Sequence, residues 1–345
     1  MLNPFFSICL PVYNGGKYLN NAIRSVLDQT YQDWEMIIYN NGSTDNTSEI
    51  INYFKDKRIK VYDEKECVSR AIPAWDKVMN MGNGDYLLML GHDDWFNNDF
   101  LEISHQNLSK ENLDIFSGCV DLYDPECKFI ETEYFRSFLN AIPQKKKKNN
   151  IYIYDGKDFI DGFITDFENG FSKMHLSTTW IRRSLYEMVG GFNLELQYCA
   201  ESELYLKLAF SGARIGFFSD HSLVNFIGIG SQRRAGYFDE YRRFHDFYLI
   251  PNIMFEKGMV NHKVYSEMIK SVNKRALKQG ESYSFIKRSI NILFYTSEDR
   301  IKWLVLNFIN VVTLKIKSYN KKFKLTYVQF ISKTKSVIYK IISFH

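Results

Sequence analysis

The sequence predicts an α/β protein: a mostly parallel sheet with flanking helices, followed by a helical C-terminal extension. Three observations predict it. Short apolar runs alternate with amphipathic segments through the first hundred residues, which is the signature of βαβ units. The runs are continuous rather than alternating, as in strands buried on both faces. Beyond Tyr237 the pattern turns mostly helical and ends in a lysine-rich tail. With 345 residues, 45% hydrophobic and 24% charged, the chain can bury a sizeable core and is too apolar for disorder.

Phe6 to Val12 (FSICLPV) reads as the first strand. Leu19, Ala22, Ile23, Val26 and Leu27 then recur at helical spacing. Trp34 to Tyr39 is the second strand and runs into Asn40–Asp45, a turn cluster rich in helix caps. Asn46 to Lys55 reads as helix, Arg58 to Tyr62 as strand, and Ala74 to Met81 as helix, broken at Gly82–Gly84 before the strand Tyr86 to Leu90. Strands are expected near Ile115–Tyr123 and Phe129–Tyr134, and Lys145–Asn150 (KKKKNN) reads as a solvated loop. From His175 to Phe218 helical patterning is expected, clearest at Ser184–Val189 and Ser202–Phe210. The division expected is 1–235 for the α/β domain, halved at about residue 100, and 236–345 for the helical region.

Several classes are excluded. There is no dinucleotide GxGxxG fingerprint and no P-loop. The five cysteines are scattered without CxxC or zinc spacing and read as reduced thiols. No run of 18 uncharged apolar residues suggests a membrane span. The first residues lack a signal-peptide pattern, so a cytoplasmic protein is expected. Residues 300–345 hold ten Lys or Arg and no acid, against 34 basic and 40 acidic side chains in the first 299. Apolar and aromatic residues interleave with those lysines, so an anionic membrane surface is the partner expected for the tail, and nucleic acid is not.

Carboxylates gather where a parallel sheet binds ligands, outside the carboxyl ends of its strands. Asp93 and Asp94 follow the fourth strand and suit a hard divalent cation, Mg²⁺ or Mn²⁺, which takes oxygen ligands and shares them with phosphates. A solvated turn before Trp95 is the plainer alternative. The Asn40–Asp45 cluster suits either helix capping or contact with a nucleoside.

Four ordered motifs carry a resemblance. They are PVYN at 11–14 with SVLDQTY at 25–31, WEMIIYNNGSTDNT at 34–47, GDYLLMLGHDD at 84–94, and VGGFNLELQYCAESELYLKLA at 189–209. Together they resemble the family 2 glycosyltransferases, whose nucleotide-sugar fold is called GT-A. The resemblance implies inverting, metal-dependent, non-processive transfer of one sugar from a nucleoside-diphosphate sugar to a saccharide acceptor, with a lipid-linked acceptor expected. It implies donor contacts from Pro11, Tyr13, Asn40, Asn41, Asp93 and Asp94, with Asp93 as the metal ligand and Glu201 as the catalytic base. His175, Glu203, Arg233 and Arg234 are further candidates for acceptor or diphosphate contact. The sequence departs from the family's pattern at Asn40 and Gly91, where acids are usual, and at Glu201, where Asp is usual. A non-catalytic nucleotide-sugar-binding member of the fold is the competing reading. A nucleotidyltransferase would carry a basic glycine-rich loop after the first strand, and a processive synthase would carry Q-x-x-R-W; neither is present.

Overall fold

The structure is a computed structural model, and it describes residues 3–67, 71–133, 142, 145–166, 174–196, 199–227 and 240–278. Arg233, Arg234 and the basic tail at 300–345 lie outside them. The chain divides into two compact units, Met1–Ile269 and Lys270–His345; the site described below belongs to the first.

The first four strands are β1 (Phe6–Val12), β2 (Trp34–Asn40), β3 (Ile59–Asp63) and β4 (Tyr86–Met89), joined by helices α1 (Leu19–Leu27), α2 (Thr47–Tyr53) and α3 (Ala71–Met79). They pair in parallel in the order β3-β2-β1-β4. Every residue of β2 is buried, which accounts for a sequence that shows no alternation. Leu19, Ala22, Ile23 and Val26 of α1 are wholly buried, the stripe that their spacing predicts. The order of the strands reverses beside β1, so the gap between the ends of β1 and β4 is the switch point at which such sheets bind ligands.

Past β4 the sheet turns mixed. β5 (Trp95–Phe96) and α4 (Phe100–Glu111) lead to β6 (Ile115–Tyr123) and β7 (Phe129–Glu133). Then come β8 (Lys146–Lys148), β9 (Ile151–Asp155), α5 (Gly156–Asp166), a 3-10 turn (Leu176–Thr178), β10 (Trp180–Arg182), α6 (Arg183–Met188), α7 (Ala200–Phe210) and β11 (Arg214–Ile227). Helices α8 (Glu240–Glu256) and α9 (His262–Lys278) follow. Strand β10 runs antiparallel to both β4 and β6, so β6 shares the direction of β4. Its neighbour β11 is parallel to it.

Two expectations fail here. The lysine run is no loop: Lys146–Lys148 pairs antiparallel with Ile151–Ile153 across an Asn149–Asn150 turn, with Asn149 at φ 54°. A two-residue turn with a left-handed Asn is a hairpin turn, and exposed lysines suit the edge of a sheet. Helical patterning does not extend to Phe218, because Trp180–Arg182 and Arg214–Phe218 are strands. Strand β11 is buried along much of its length, and continuous burial erases the period that separates strand from helix.

Candidate active site

The β1 end is laced to the β2 end by side chains of the turn cluster. Asn14, at φ 52°, donates its N–H to Ser43 Oγ at 3.0 Å and accepts the Thr44 N–H at 2.8 Å. The N–H of Gly15 bonds Thr47 Oγ1 at 2.9 Å, and that of Gly16 bonds Asp45 Oδ2 at 3.0 Å. A Cβ on Gly15 would stand 2.5 Å from Val12 and 3.0 Å from the His92 ring, so this loop and the β4 end meet only because residue 15 is glycine. Pro11 is half-buried and Tyr13 is 44% exposed. Asn41 is buried, its N–H bonded to Val12 O at 2.8 Å.

Asn40 is buried and turned inward. Its Nδ2 donates to Ser48 Oγ at 3.0 Å and Asp63 Oδ1 at 2.9 Å, while its Oδ1 accepts the Ser43 N–H at 3.2 Å. With both amide protons engaged, it fixes the turn instead of reaching outward as expected from the resemblance.

The Gly91–Asp94 loop continues from β4, whose register on β1 is extended by a Leu90 N–H bond to Cys9 O at 2.9 Å. Asp93 is half-buried and Asp94 is 3% exposed. Ser177 Oγ accepts the Gly91 N–H at 3.1 Å and donates to Asp94 Oδ2 at 2.5 Å. Asp94 Oδ1 is buried and has no well-aligned hydrogen-bond partner, although the Ile227 backbone amide favours the carboxylate's charge. Burial, and then the neighbouring Asp93 charge, push Asp94 well above the usual carboxylate range. A Cβ at Gly91 would lie 2.6 Å from Asp94 Oδ2 and 3.1 Å from Asp93 Oδ1. A side chain at residue 91 would displace the Asp94 carboxyl from its position beneath the loop.

Helix α7 presents the other carboxylates. Asp246, wholly buried on α8, accepts the Cys199 N–H at 2.9 Å and anchors the residue that caps α7. Glu201 sits in the first turn, half-buried. Glu203, expected to border the acceptor or the diphosphate, is instead 1% exposed with its Oε2 3.2 Å from Lys207 Nζ. That ion pair lacks hydrogen-bond alignment, because Lys207 Nζ is turned toward Gly191 O at 2.5 Å. Burial raises Glu203 and lowers Lys207, and the pairing opposes both shifts. Glu203 therefore belongs to the core.

Residues 175–179 brace the Gly91–Asp94 loop. Ser177 holds Asp94, and Thr179 Oγ1 lies 2.9 Å from Ser117 Oγ. The Tyr205 phenol on α7 is pushed far up by burial; Thr179 opposes the shift and Glu201 adds to it. His175 is half-buried with its ring 4.5 Å from Phe226, and its carbonyl accepts the hydroxyls of Thr178 at 3.0 Å and Thr179 at 2.7 Å. Sequence reasoning missed Ser177, Thr179 and Asp246. The polar run before Trp180 was a signal for the first two; nothing in the sequence marked Asp246.

Among the described residues no group of three His, Cys, Asp or Glu converges on one point. The Gly91–Asp94 loop nonetheless fits a hard cation, with two neighbouring carboxylates, a buried carboxylate oxygen that has no well-aligned hydrogen-bond partner, and a like-charge repulsion that a cation would relieve. Mg²⁺ and Mn²⁺ need few protein ligands when substrate phosphates supply the rest.

Residues 7–174 match the family model described as glycosyl transferase family 2. The chain is 31% identical over 125 residues to glycosyltransferase GlyG of Streptococcus pneumoniae, covering 36% of this chain and 41% of that protein. It is 31% identical over 207 residues to the uncharacterized glycosyltransferase RT0329 of Rickettsia typhi, covering 59% and 58%. To the putative teichuronic acid biosynthesis glycosyltransferase TuaG of Bacillus subtilis it is 37% identical over 101 residues, 29% of this chain and 40% of that one. The chain thus spans about half the length of the curated relatives it matches. Among solved structures, S. aureus TarS 1-349 in complex with UDP-GlcNAc superposes with a TM-score of 0.57 at 15% identity, over 92% of this chain and 82% of that one. The mannosyltransferase PcManGT of Pyrobaculum calidifontis, in complex with GDP-Man and Mn2+, gives 0.52 at 13%, over 91% and 87%. These likenesses establish the fold, the GT-A arrangement.

Proposed function

We propose, for a chain whose residues 7–174 belong to glycosyl transferase family 2, that it transfers one sugar from a nucleoside-diphosphate sugar to a hydroxyl of a growing, lipid-linked oligosaccharide or polysaccharide, with inversion. The observation that carries the reading is the Gly91–Asp94 loop at the switch point of the sheet, where Asp93 is half-exposed and Asp94, bonded by Ser177, is buried beside it. UDP-GlcNAc and GDP-Man bound to proteins of the same fold support a nucleotide-sugar donor. The printed name of TuaG supports polysaccharide biosynthesis.

In this mechanism Pro11, Tyr13 and the turn that Asn40 and Asn41 fix receive the nucleoside. Glu201 accepts the proton of the acceptor hydroxyl as its oxygen attacks the anomeric carbon, and the bond to the diphosphate breaks on the opposite face. A positioned base contributes ~10²–10⁴ in rate. Glu201 has the exposure for it and Glu203 does not. Asp93 would hold Mg²⁺ or Mn²⁺, which offsets charge developing on the leaving diphosphate. Asp94, bonded by Ser177, orients the Asp93 loop. His175 borders the acceptor side.

Thermal unfolding with a panel of nucleotide sugars, with and without Mn²⁺, tests the reading. A rise in midpoint for one donor, dependent on Mn²⁺ and accompanied by slow donor hydrolysis, is expected; no response to any nucleotide sugar would reject it. Membrane attachment on the inner face of the cell membrane, through the ten basic residues at 300–345, is part of the proposal. The full chain is expected to pellet with anionic vesicles at low salt and to leave them at high salt. Equal pelleting with neutral vesicles would remove the electrostatic anchor.

A further inference from the structure

Directly after Asp94 the chain enters β5, and an aromatic series begins. The Trp95 ring lies 5.0 Å from Tyr123 on β6, and Tyr123 lies 5.8 Å from Phe129 on β7. We propose that Trp95, Tyr123 and Phe129 form the subsite that receives the acceptor, by stacking a pyranose ring; this rests on the transferase reading above.

Placement is the first argument. Strand β6 runs with β4, so Tyr123 at its carboxyl end lies at the same end of the sheet as Asp93. Trp95 is one residue from Asp94. The β6–β7 turn is fastened to the chain just past the β1-end loop, because Lys17 Nζ at 2.6 Å and Tyr18 Oη at 2.7 Å both donate to Pro125 O. The series is thus tied from both sides to the loops proposed to hold the donor.

The second argument is chemical. Trp95 and Tyr123 are half-buried, and Phe129 is 57% exposed, so aromatic surface is available to a ligand. Strand register sets polar groups beside it. Asp121 pairs with Thr132 on one side and Asn225 on the other, and Asn225 pairs with Trp95. Asp121 accepts the hydroxyls of Thr132 and Ser222, each at 2.6 Å; Ser222 and Asn225 are buried, whereas Asp121 and Thr132 are half-buried, and the Thr132 oxygen keeps acceptor capacity toward a ligand. Aromatic faces rimmed by hydrogen-bonding groups suit a ligand with one apolar C–H face and a polar edge, which describes a pyranose. An acyl chain would not need the polar row, and a diphosphate would need cations that this row lacks.

Saturation-transfer NMR on the full chain tests it, irradiating aromatic protons in the presence of the methyl glycosides of glucose, galactose, mannose and N-acetylglucosamine. At least one glycoside should receive saturation in the wild type. Phe129→Ala and Tyr123→Leu should weaken its binding about tenfold with the unfolding midpoint as the check on fold. If Tyr123→Leu does not fold, Phe129→Ala, which removes an exposed ring, decides. No saturation with any glycoside, or undiminished saturation in a folded variant, overturns the subsite. Donor hydrolysis by the wild type is read in parallel. Its absence beside positive glycoside binding rejects the transferase reading and leaves the subsite, whereas hydrolysis without glycoside binding does the reverse.

Discussion

The end of β4 and the start of α7 each carry a pair of acids close in sequence, and the fold treats the pairs alike in one respect and differently in another. In each, one acid is half-exposed, Asp93 or Glu201, and its companion is buried, Asp94 or Glu203. Glu203 has its cation in the protein, since Lys207 lies 3.2 Å away. Asp94 has a serine hydroxyl and a second carboxylate instead. A buried charge without a counter-ion is costly. The helix pair is therefore closed on itself, whereas the loop pair has no protein cation beside it among the described residues, and a proton on Asp94 or a bound cation would relieve it. The same contrast separates Glu201, the acid proposed to accept the acceptor proton, from Glu203, which is buried in the core.

The largest effect should come from the exposed member of the helix pair. Glu201→Gln keeps the shape and removes the proton acceptor, so kcat should fall ~10²–10⁴-fold with donor affinity kept. Glu201→Asp should retain part of the activity. Initial rates beside donor titrations check both. An unchanged rate in Glu201→Gln would reduce that residue to a favourable charge at a helix start.

The buried member should answer in stability. Lys207→Met leaves Glu203 unpaired and should cost ~3–5 kcal/mol, whereas Lys207→Met with Glu203→Met should be near neutral or stabilising. Denaturant unfolding of the three proteins measures it; equal losses in single and double variants would show that the pair is not closed on itself. The pH dependence follows from the direction of the shift. Because burial raises Glu203 in the folded state, the folded form binds the extra proton. Its contribution is complete below the unfolded carboxylate range and is lost as pH rises through the raised value. The double variant should flatten that slope.

A smaller effect is expected from the anchor of α7. Asp246→Asn weakens the bond to the Cys199 N–H and should cost ~1–3 kcal/mol, with kcat reduced more than donor affinity because Glu201 follows within a turn. A kcat unchanged at equal folding would separate the anchor from the chemistry.

The half of the fold that was legible is the half built of regular units. Parallel strands joined by helices of clear period, such as Leu19–Leu27, announce themselves in sequence. Strands β10 and β11 did not, because buried runs such as RIGFF fit helix and strand alike. The Lys146–Lys148 hairpin was hidden by charge at a sheet edge, where charge belongs. At the candidate site, Asp93 and Glu201 were singled out by the resemblance of their motifs. Glu203 looked equivalent to Glu201 until Lys207 was seen one turn away, and the role of Gly91 required knowing where the Asp94 carboxyl folds. Asp246 was invisible because its partner is a backbone N–H 47 residues away.

The contrast between the open loop pair and the self-contained helix pair is tested most directly by calorimetric titration of the stabilising nucleotide sugar, with and without Mn²⁺, into wild type, Asp93→Asn and Glu201→Gln. The account predicts Mn²⁺-dependent binding in the wild type, the same binding in Glu201→Gln, and loss of the Mn²⁺ dependence in Asp93→Asn with the fold intact. Mn²⁺-dependent binding undiminished in Asp93→Asn would contradict it.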